Sequence, residues 1–158
     1  MELVRYTDAD LGLTEALETD PEVMRELGGP ITPSELTASH RRRLQAPWWL
    51  TIVPESEGPA VGTIGIWEKT LDGETIHETG WMVLPALQGR GIASSALTLL
   101  IELARAEPRF ERMHAFPPVS NTPSNTLCRK FDFTLHDQRE FSYAGRTLHC
   151  NHWSLALR

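Results

Sequence analysis

The sequence predicts a mixed α/β (α+β) fold, a sheet with helices on its faces, and three observations carry that expectation. Strand-like and helix-like periods alternate along the chain instead of separating into blocks. Residues 92–106 have the spacing of an amphipathic helix, with Ile92, Ala93, Ala96, Leu97, Leu99, Leu100, Leu103 and Ala104 on one broad apolar face. Asp72-Gly73 and Ala144-Gly145 are turn signals between runs of strand-like residues.

Taken in order, Leu3 to Tyr6 reads as a first strand. Asp8 to Leu17 and Pro21 to Leu27 read as helical pieces, with Thr7 or Asp8 and Asp20 as caps and Pro21 in a first turn. Gly28-Gly29-Pro30 stops the second piece, and Ser34 with Thr37 opens a helix that runs to about Gln45 before Pro47. Strands follow at Trp48 to Val53, Val61 to Trp67 and Thr75 to Leu84. After the 92–106 helix, ended by Pro108, come a strand at Arg109 to Phe116 and a short helix at Ser124 to Phe131. Phe133 to Tyr143 and Arg146 to Leu157 close the chain as a hairpin.

With 158 residues, 41% of them hydrophobic, a single domain spanning 1–158 is expected. The start, Met1-Glu2-Leu3-Val4-Arg5, lacks the basic and apolar regions of a signal peptide, and no apolar run is long enough to span a bilayer. A cytoplasmic protein without membrane contact is the expectation. A net charge of −6 argues against a nucleic-acid partner and for a cationic one. Arg41-Arg42-Arg43 reads as a solvated helix face. Two cysteines, Cys128 and Cys150, are too few for a disulfide framework, although a single bridge is compatible with the sequence.

The chemistry concentrates between Gly80 and Ser94, where strand, turn and helix follow one another. Glycine gives the backbone positive φ and close approach to a phosphate, and the first N–H groups of a helix have no internal partner. Gly89, Gly91, Ile92, Ala93 and Ser94, with Arg90 adding charge, therefore read as an anion site at a helix N-terminus. A plain glycine turn before a core helix is one alternative. A degenerate dinucleotide-binding fingerprint over Gly89, Gly91 and Ser94 is another, although Pro85-Ala86-Leu87-Gln88 is an unusual spacer for it. The third is Gln-x-x-Gly-x-Ala, met by Gln88, Gly91 and Ala93, which is an acyl-CoA turn. A Walker loop is excluded, because no Gly-Lys-Ser/Thr occurs.

Gln88, Gly91 and Ala93 resemble the central motif of the GNAT superfamily of N-acetyltransferases. Asn121-Thr122-Pro123-Ser124-Asn125 followed by Lys130-Phe131-Asp132-Phe133 resembles its second motif, with Asp132 standing where glycine is usual. Asp20-Pro21-Glu22-Val23-Met24 and Trp153-Ser154-Leu155 are similar to the branch that includes ribosomal-protein N-terminal acetyltransferases. The resemblance implies a mixed, mostly antiparallel, twisted and splayed sheet of about six to seven strands with helices on both faces. It implies acetyl-CoA as co-substrate, no metal, an amine acceptor (a peptide N-terminus or a small molecule such as a polyamine or aminoglycoside), and a monomer or homodimer.

The resemblance also assigns roles. A backbone N–H at Met82 or Val83 would donate to the thioester oxygen, a kind of contact whose loss typically costs ~3 kcal/mol. Gln88 to Ser94, with Asn121 and Asn125, would hold the cofactor. The attacking amine must be neutral: a substantial fraction of an α-amino group is already so near pH 7.5, whereas a lysine amine carries a handicap of roughly 4 kcal/mol. Glu78 is the candidate base, directly or through water, because relatives in the resembled branch carry an acidic residue two positions before the counterpart of Gly80. Glu78, Gly80 and Met82 share a strand face, and a solvated carboxylate or one that only attracts the cationic amine is the alternative. His77 faces the other way. Many relatives carry a tyrosine acid at the position of Cys128, so Ser124 is the alternative hydrogen-bond donor to the leaving sulfur, competing with a role as helix cap. The missing tyrosine also keeps open a rival reading, a silent acyl-CoA-binding sensor.

His149-Cys150-Asn151-His152 offers only two same-face ligands on a strand, Cys150 and His152, and reads as half-buried strand residues, not as a metal site. Trp48-Trp49 reads as core packing.

Overall fold

The computed structural model describes residues 1–143 and 145–158. The Gly145 half of the second expected turn is among them, whereas Ala144 lies outside the described residues. Among the described residues seven strands form one sheet: β1 (Glu2–Arg5), β2 (Trp49–Val53), β3 (Gly62–Leu71), β4 (Glu74–Val83), β5 (Arg112–Ala115), β6 (Thr134–Tyr143) and β7 (Arg146–Ala156). Their order is β1-β2-β3-β4-β5-β7-β6. All neighbours pair antiparallel except β4 and β5, which are parallel and meet at a single register pair, Glu78 with His114. The helices are α1 (Leu11–Glu18), α2 (Pro33–Gln45), α3 (Ile92–Ala106) and α4 (Thr122–Lys130).

One sheet face is apolar because strand residues alternate. Leu50, Ile52, Ile64, Ile66, Val83, Met113 and Trp153 meet Ala96, Leu97, Leu100 and Ala104 of α3, with Cys128 of α4 and Phe133 closing the core. Trp48 belongs to this side and packs edge-on against Phe110, with ring centroids 4.9 Å apart. Both cysteines are free and buried, so no bridge forms.

The opposite face carries α1 and α2. Trp49 stacks on Trp67 at 4.6 Å, and the Arg43 guanidinium lies 4.7 Å over Trp49. Arg43 corrects one expectation. Only Arg41 and Arg42 are solvated, while Arg43 is 3% exposed, paired with Glu18 and donating to Thr14 Oγ1 at 2.9 Å. A three-residue charge run cannot show this, because a helix turns each residue about 100° from the last.

Several boundaries also move. Pro21 to Leu27 is a turn followed by a short 3₁₀ segment at Arg25–Leu27. The α2 start is capped by Thr32, whose hydroxyl accepts from Glu35 N while Glu35 returns a carboxylate to Thr32 N at 2.6 Å, so Ser34 and Thr37 do not open it. The strand expected from Arg109 shrinks to β5, because Phe110 turns into the core. Asp132 adopts φ 58, the left-handed conformation glycine would supply.

Candidate active site

The candidate site lies where β4 and β5 part. The β3–β4 ladder fixes which β4 groups face the gap. Leu84 N donates to Val61 O at 2.9 Å, and antiparallel pairs alternate between bonded and unbonded. Met82 and Gly80 therefore spend their backbone groups on β3, opposite Thr63 and Gly65. Trp81 and Val83 turn theirs toward β5, with which β4 shares no pair beyond Glu78. The expected Met82 donor is thus corrected: its N–H is used within the sheet, and Val83 and Trp81 hold the open ones.

Beyond Val83, Pro85–Leu87 makes a 3₁₀ turn and Gln88 folds back, its Nε2 donating to Val83 O at 3.0 Å. Gln88 thereby occupies the carbonyl of the residue whose N–H stays free. Gly89 and Gly91 both adopt positive φ, +72 and +76, and a Cβ built on either meets nothing within 4 Å. The space outside the turn is open for a ligand, at backbone conformations that disfavour side chains. Ser95 N makes the first intrahelical bond, to Gly91 O at 3.0 Å, so the N–H groups of Gly91, Ile92, Ala93 and Ser94 precede the ladder. No side chain caps Gly91. Arg90 is exposed beside them. Lys130 Nζ donates to Ser94 Oγ at 2.7 Å, bringing a second cation that sequence reading treated only as part of a motif. Four free donors, two cations and unhindered glycines fit a pyrophosphate.

α4 distributes its residues differently from expectation. Asn121 caps it, accepting from Ser124 N at 3.2 Å, so Ser124 is not the cap and its hydroxyl has no protein partner among the described residues. Asn125 is 3% exposed. Its Nδ2 donates to the Pro118 and Asn121 carbonyls, and its Oδ1 accepts from Asn151 and Trp153 at 2.8 and 2.9 Å. Every hydrogen-bonding atom of that amide is engaged inside the protein, so Asn125 locks α4 onto β7 and is not a ligand contact. Cys128 is fully buried, and burial pushes its thiol up to about 12, which removes it as a proton donor.

Glu78 stands at the closed end of the gap. Its Oε2 meets Lys69 Nζ at 3.1 Å and accepts from Trp67 Nε1 at 3.3 Å, leaving Oε1 without a protein partner among the described residues. Burial raises its pKa, and Lys69 and Trp67 partly oppose that. Lys69 is itself held 3.8 Å over the Phe141 ring. Gly80 keeps the floor open for Trp67: a Cβ there would sit 2.9 Å from Trp67 Cη2. His77 faces the core side, edge-on to Phe110 at 4.8 Å.

His152 does not pair with Cys150 around a metal. It bonds His114 and Asp137, while His149 pairs with Glu140. Among the described residues no group of three or more His, Cys, Asp or Glu could hold a metal ion, and no helix is long and apolar enough to cross a membrane.

A family model described as an acetyltransferase (GNAT) domain matches residues 1–134. The chain belongs to the GNAT acetyltransferase family. This GNAT protein has the fold of several solved structures. An acetyltransferase (GNAT family) from Bacillus anthracis aligns with TM-score 0.80 at 18% identity, over 98% of this chain and 93% of its own. The yncA protein of Salmonella typhimurium, solved with its cofactor acetyl-CoA, gives 0.73 at 22%, over 100% and 94%. A ribosomal-protein-alanine N-acetyltransferase from Brucella melitensis gives 0.72 at 23%, over 99% of each chain. No curated protein matches the sequence. The GNAT protein is an acetyl-CoA-dependent acetyltransferase, with acetyl-CoA as co-substrate.

Proposed function

We propose that this GNAT domain, residues 1–158, moves an acetyl group from acetyl-CoA directly to a primary amine, within one ternary complex. The observation that carries this reading is the single-pair junction of β4 and β5, which leaves the Val83 and Trp81 N–H groups open and sets Glu78 at its closed end. Gln88 to Ser94, with Lys130, would hold the pyrophosphate, and the pantetheine arm would lie along the open β4 edge as an added strand does. Acetyl-CoA supplies the activated acyl carbon. Val83 or Trp81 N–H stabilises negative charge on the thioester oxygen, because the donor is fixed before charge develops.

Glu78 draws the cationic acceptor into the gap and takes a proton from its nitrogen, directly or through water, through the Oε1 that no other described residue occupies. The Ser124 hydroxyl, uncommitted at the start of α4, is the hydrogen-bond donor to the leaving sulfur. The acceptor is a peptide N-terminus or a small-molecule amine. The net charge of −6 supports a cationic acceptor. The match to a ribosomal-protein-alanine acetyltransferase supports the N-terminal option.

The test is thiol release from acetyl-CoA across a panel of N-terminal peptides, polyamines and aminoglycosides, alongside calorimetric CoA titration. Turnover on one class is expected. CoA binding without turnover on any amine would refute acetyl transfer in favour of a sensing role.

A further inference from the structure

Three histidines and an aspartate gather on the sheet face that Glu78 shares, and acetyl transfer as described above uses none of them. His114 of β5 is the register partner of Glu78, at the one place where β4 and β5 meet. Its Nδ1 lies 2.8 Å from His152 Nε2, and His152 Nδ1 lies 3.1 Å from Asp137 Oδ1. The two imidazoles stack with centroids 5.2 Å apart. Arg139 holds Asp137 at 3.0 Å and is itself anchored to Asp72 at 2.8 Å, so the carboxylate end of the chain is fixed.

Hydrogen-bond chemistry assigns the protons. Ionised Asp137 only accepts, so His152 carries its proton on Nδ1. A neutral ring then offers a lone pair at Nε2, and His114 must donate to it from Nδ1. His114 Nε2 is left with a lone pair and no protein partner among the described residues. Both rings are neutral at pH 7: burial lowers His152, and burial with the cations around it pushes His114 down to about 4. The charged or titratable groups around His114 are His77 on β4, Arg112 on its own strand, His136 on β6 and His152 on β7, with Glu78 as its register partner. Lys69 pairs with Glu78, and Asp137 with Arg139 stands behind His152.

We propose that Asp137, His152 and His114 form a proton relay for the acceptor nitrogen, with His114 as the proton acceptor in the gap and His152 and Asp137 as positioning residues behind it. The proposal rests on the acetyl-transfer reading. The nitrogen loses two protons, one as ammonium becomes amine and one as the N–C bond forms. Glu78 takes one and His114 Nε2 the other. As His114 gains a proton at Nε2, its Nδ1 proton moves to His152 Nε2 and the Nδ1 proton of His152 moves to Asp137 Oδ1. Asp137, whose side chain is 49% exposed, releases one to water. One proton enters and one leaves, which leaves both rings protonated on Nε2. Once product has left, a proton from water re-enters through Asp137 and shifts the chain back while His114 Nε2 releases one to water. The rings thus regain their Nδ1–H forms with no net proton gained or lost. Glu78 passes its proton through water to the departing sulfur and is regenerated, so the one proton released per turnover is the one that left through Asp137. A ring that rests neutral passes a proton on instead of storing it.

Two measurements on the full chain test this. Nitrogen-15 NMR of the histidine rings at pH 7 should show Nδ1–H tautomers at His114 and His152, with His152 altered in Asp137→Asn. An Nε2–H tautomer at His114 would overturn the relay whatever the enzyme does. With an amine that the unmodified protein turns over, His114→Gln should lower kcat about 100-fold and leave CoA affinity unchanged, as loss of a proton-transfer group does. His152→Gln and Asp137→Asn should lose roughly 10-fold and shift the pH profile, and imidazole should restore part of the rate to His114→Ala. A full rate in His114→Gln across the pH range overturns the relay alone. Absence of turnover by the unmodified chain overturns the acetyl-transfer reading and the relay with it.

Discussion

Replacing Gly91 by alanine separates the proposed phosphate-binding role of the turn from its structural one. Gly91 has φ +76, and an added Cβ would meet no atom of the protein within 4 Å. The folded state therefore pays only the left-handed strain of a non-glycine residue, about 1 kcal/mol, without a packing clash. For a chain of this length that is a fall in Tm of about 3 °C. The same methyl group occupies the open side of the turn, where the proposed pyrophosphate site requires approach to the N–H groups of 91–94. Loss of one charge-assisted bond there is worth about 1.5–3 kcal/mol, or roughly 10- to 100-fold in CoA affinity. Calorimetric titration of CoA and of pantetheine, which lacks the pyrophosphate, reads the two effects apart. CoA should weaken while pantetheine binds both forms alike. Unchanged CoA affinity, or equal losses for both ligands, would refute the placement of the phosphates.

The same substitution at Gly62 should behave oppositely, because its Cβ would lie 2.3 Å from the Met82 carbonyl oxygen; denaturant unfolding should show a loss of several kcal/mol. Arg43→Met leaves the buried Glu18 carboxylate unpaired and should cost about 3–5 kcal/mol, most of it regained by adding Glu18→Leu. Stability should also fall as pH drops from 6.5 to about 4. His114 takes a proton in the unfolded chain before it does in the folded one, so its contribution is complete above pH 6.5 and lost by about pH 4. The effect is at most ~3 kcal/mol before solvent screening, and His114→Gln should flatten that part of the pH curve. Cys128 should resist thiol reagents in the folded protein at pH 8 and react on unfolding, since its thiol is fully buried with a pKa of about 12.

Local sequence determined most of the architecture. The apolar period of 92–106, the Asp72-Gly73 turn and the glycines around Arg90 are short-range signals, and short-range geometry turns them into α3, a hairpin and an open helix N-terminus. Asp132 could likewise be read, because left-handed tolerance is a property of the residue itself. Tertiary structure decided what depends on partners far along the chain. Arg43 is buried because Glu18 lies across from it. Asn125 is structural because Asn151 and Trp153 reach it from β7. Val83 and not Met82 keeps a free N–H because the β3 register settles which alternate residues bond. His114, His152 and Asp137 are spread over three strands, and only the β5-β7-β6 order brings them together beside Glu78. A linear pattern records which residues a turn or helix needs. It does not record which side chains meet across a sheet, because strand order and register are fixed only when the core closes.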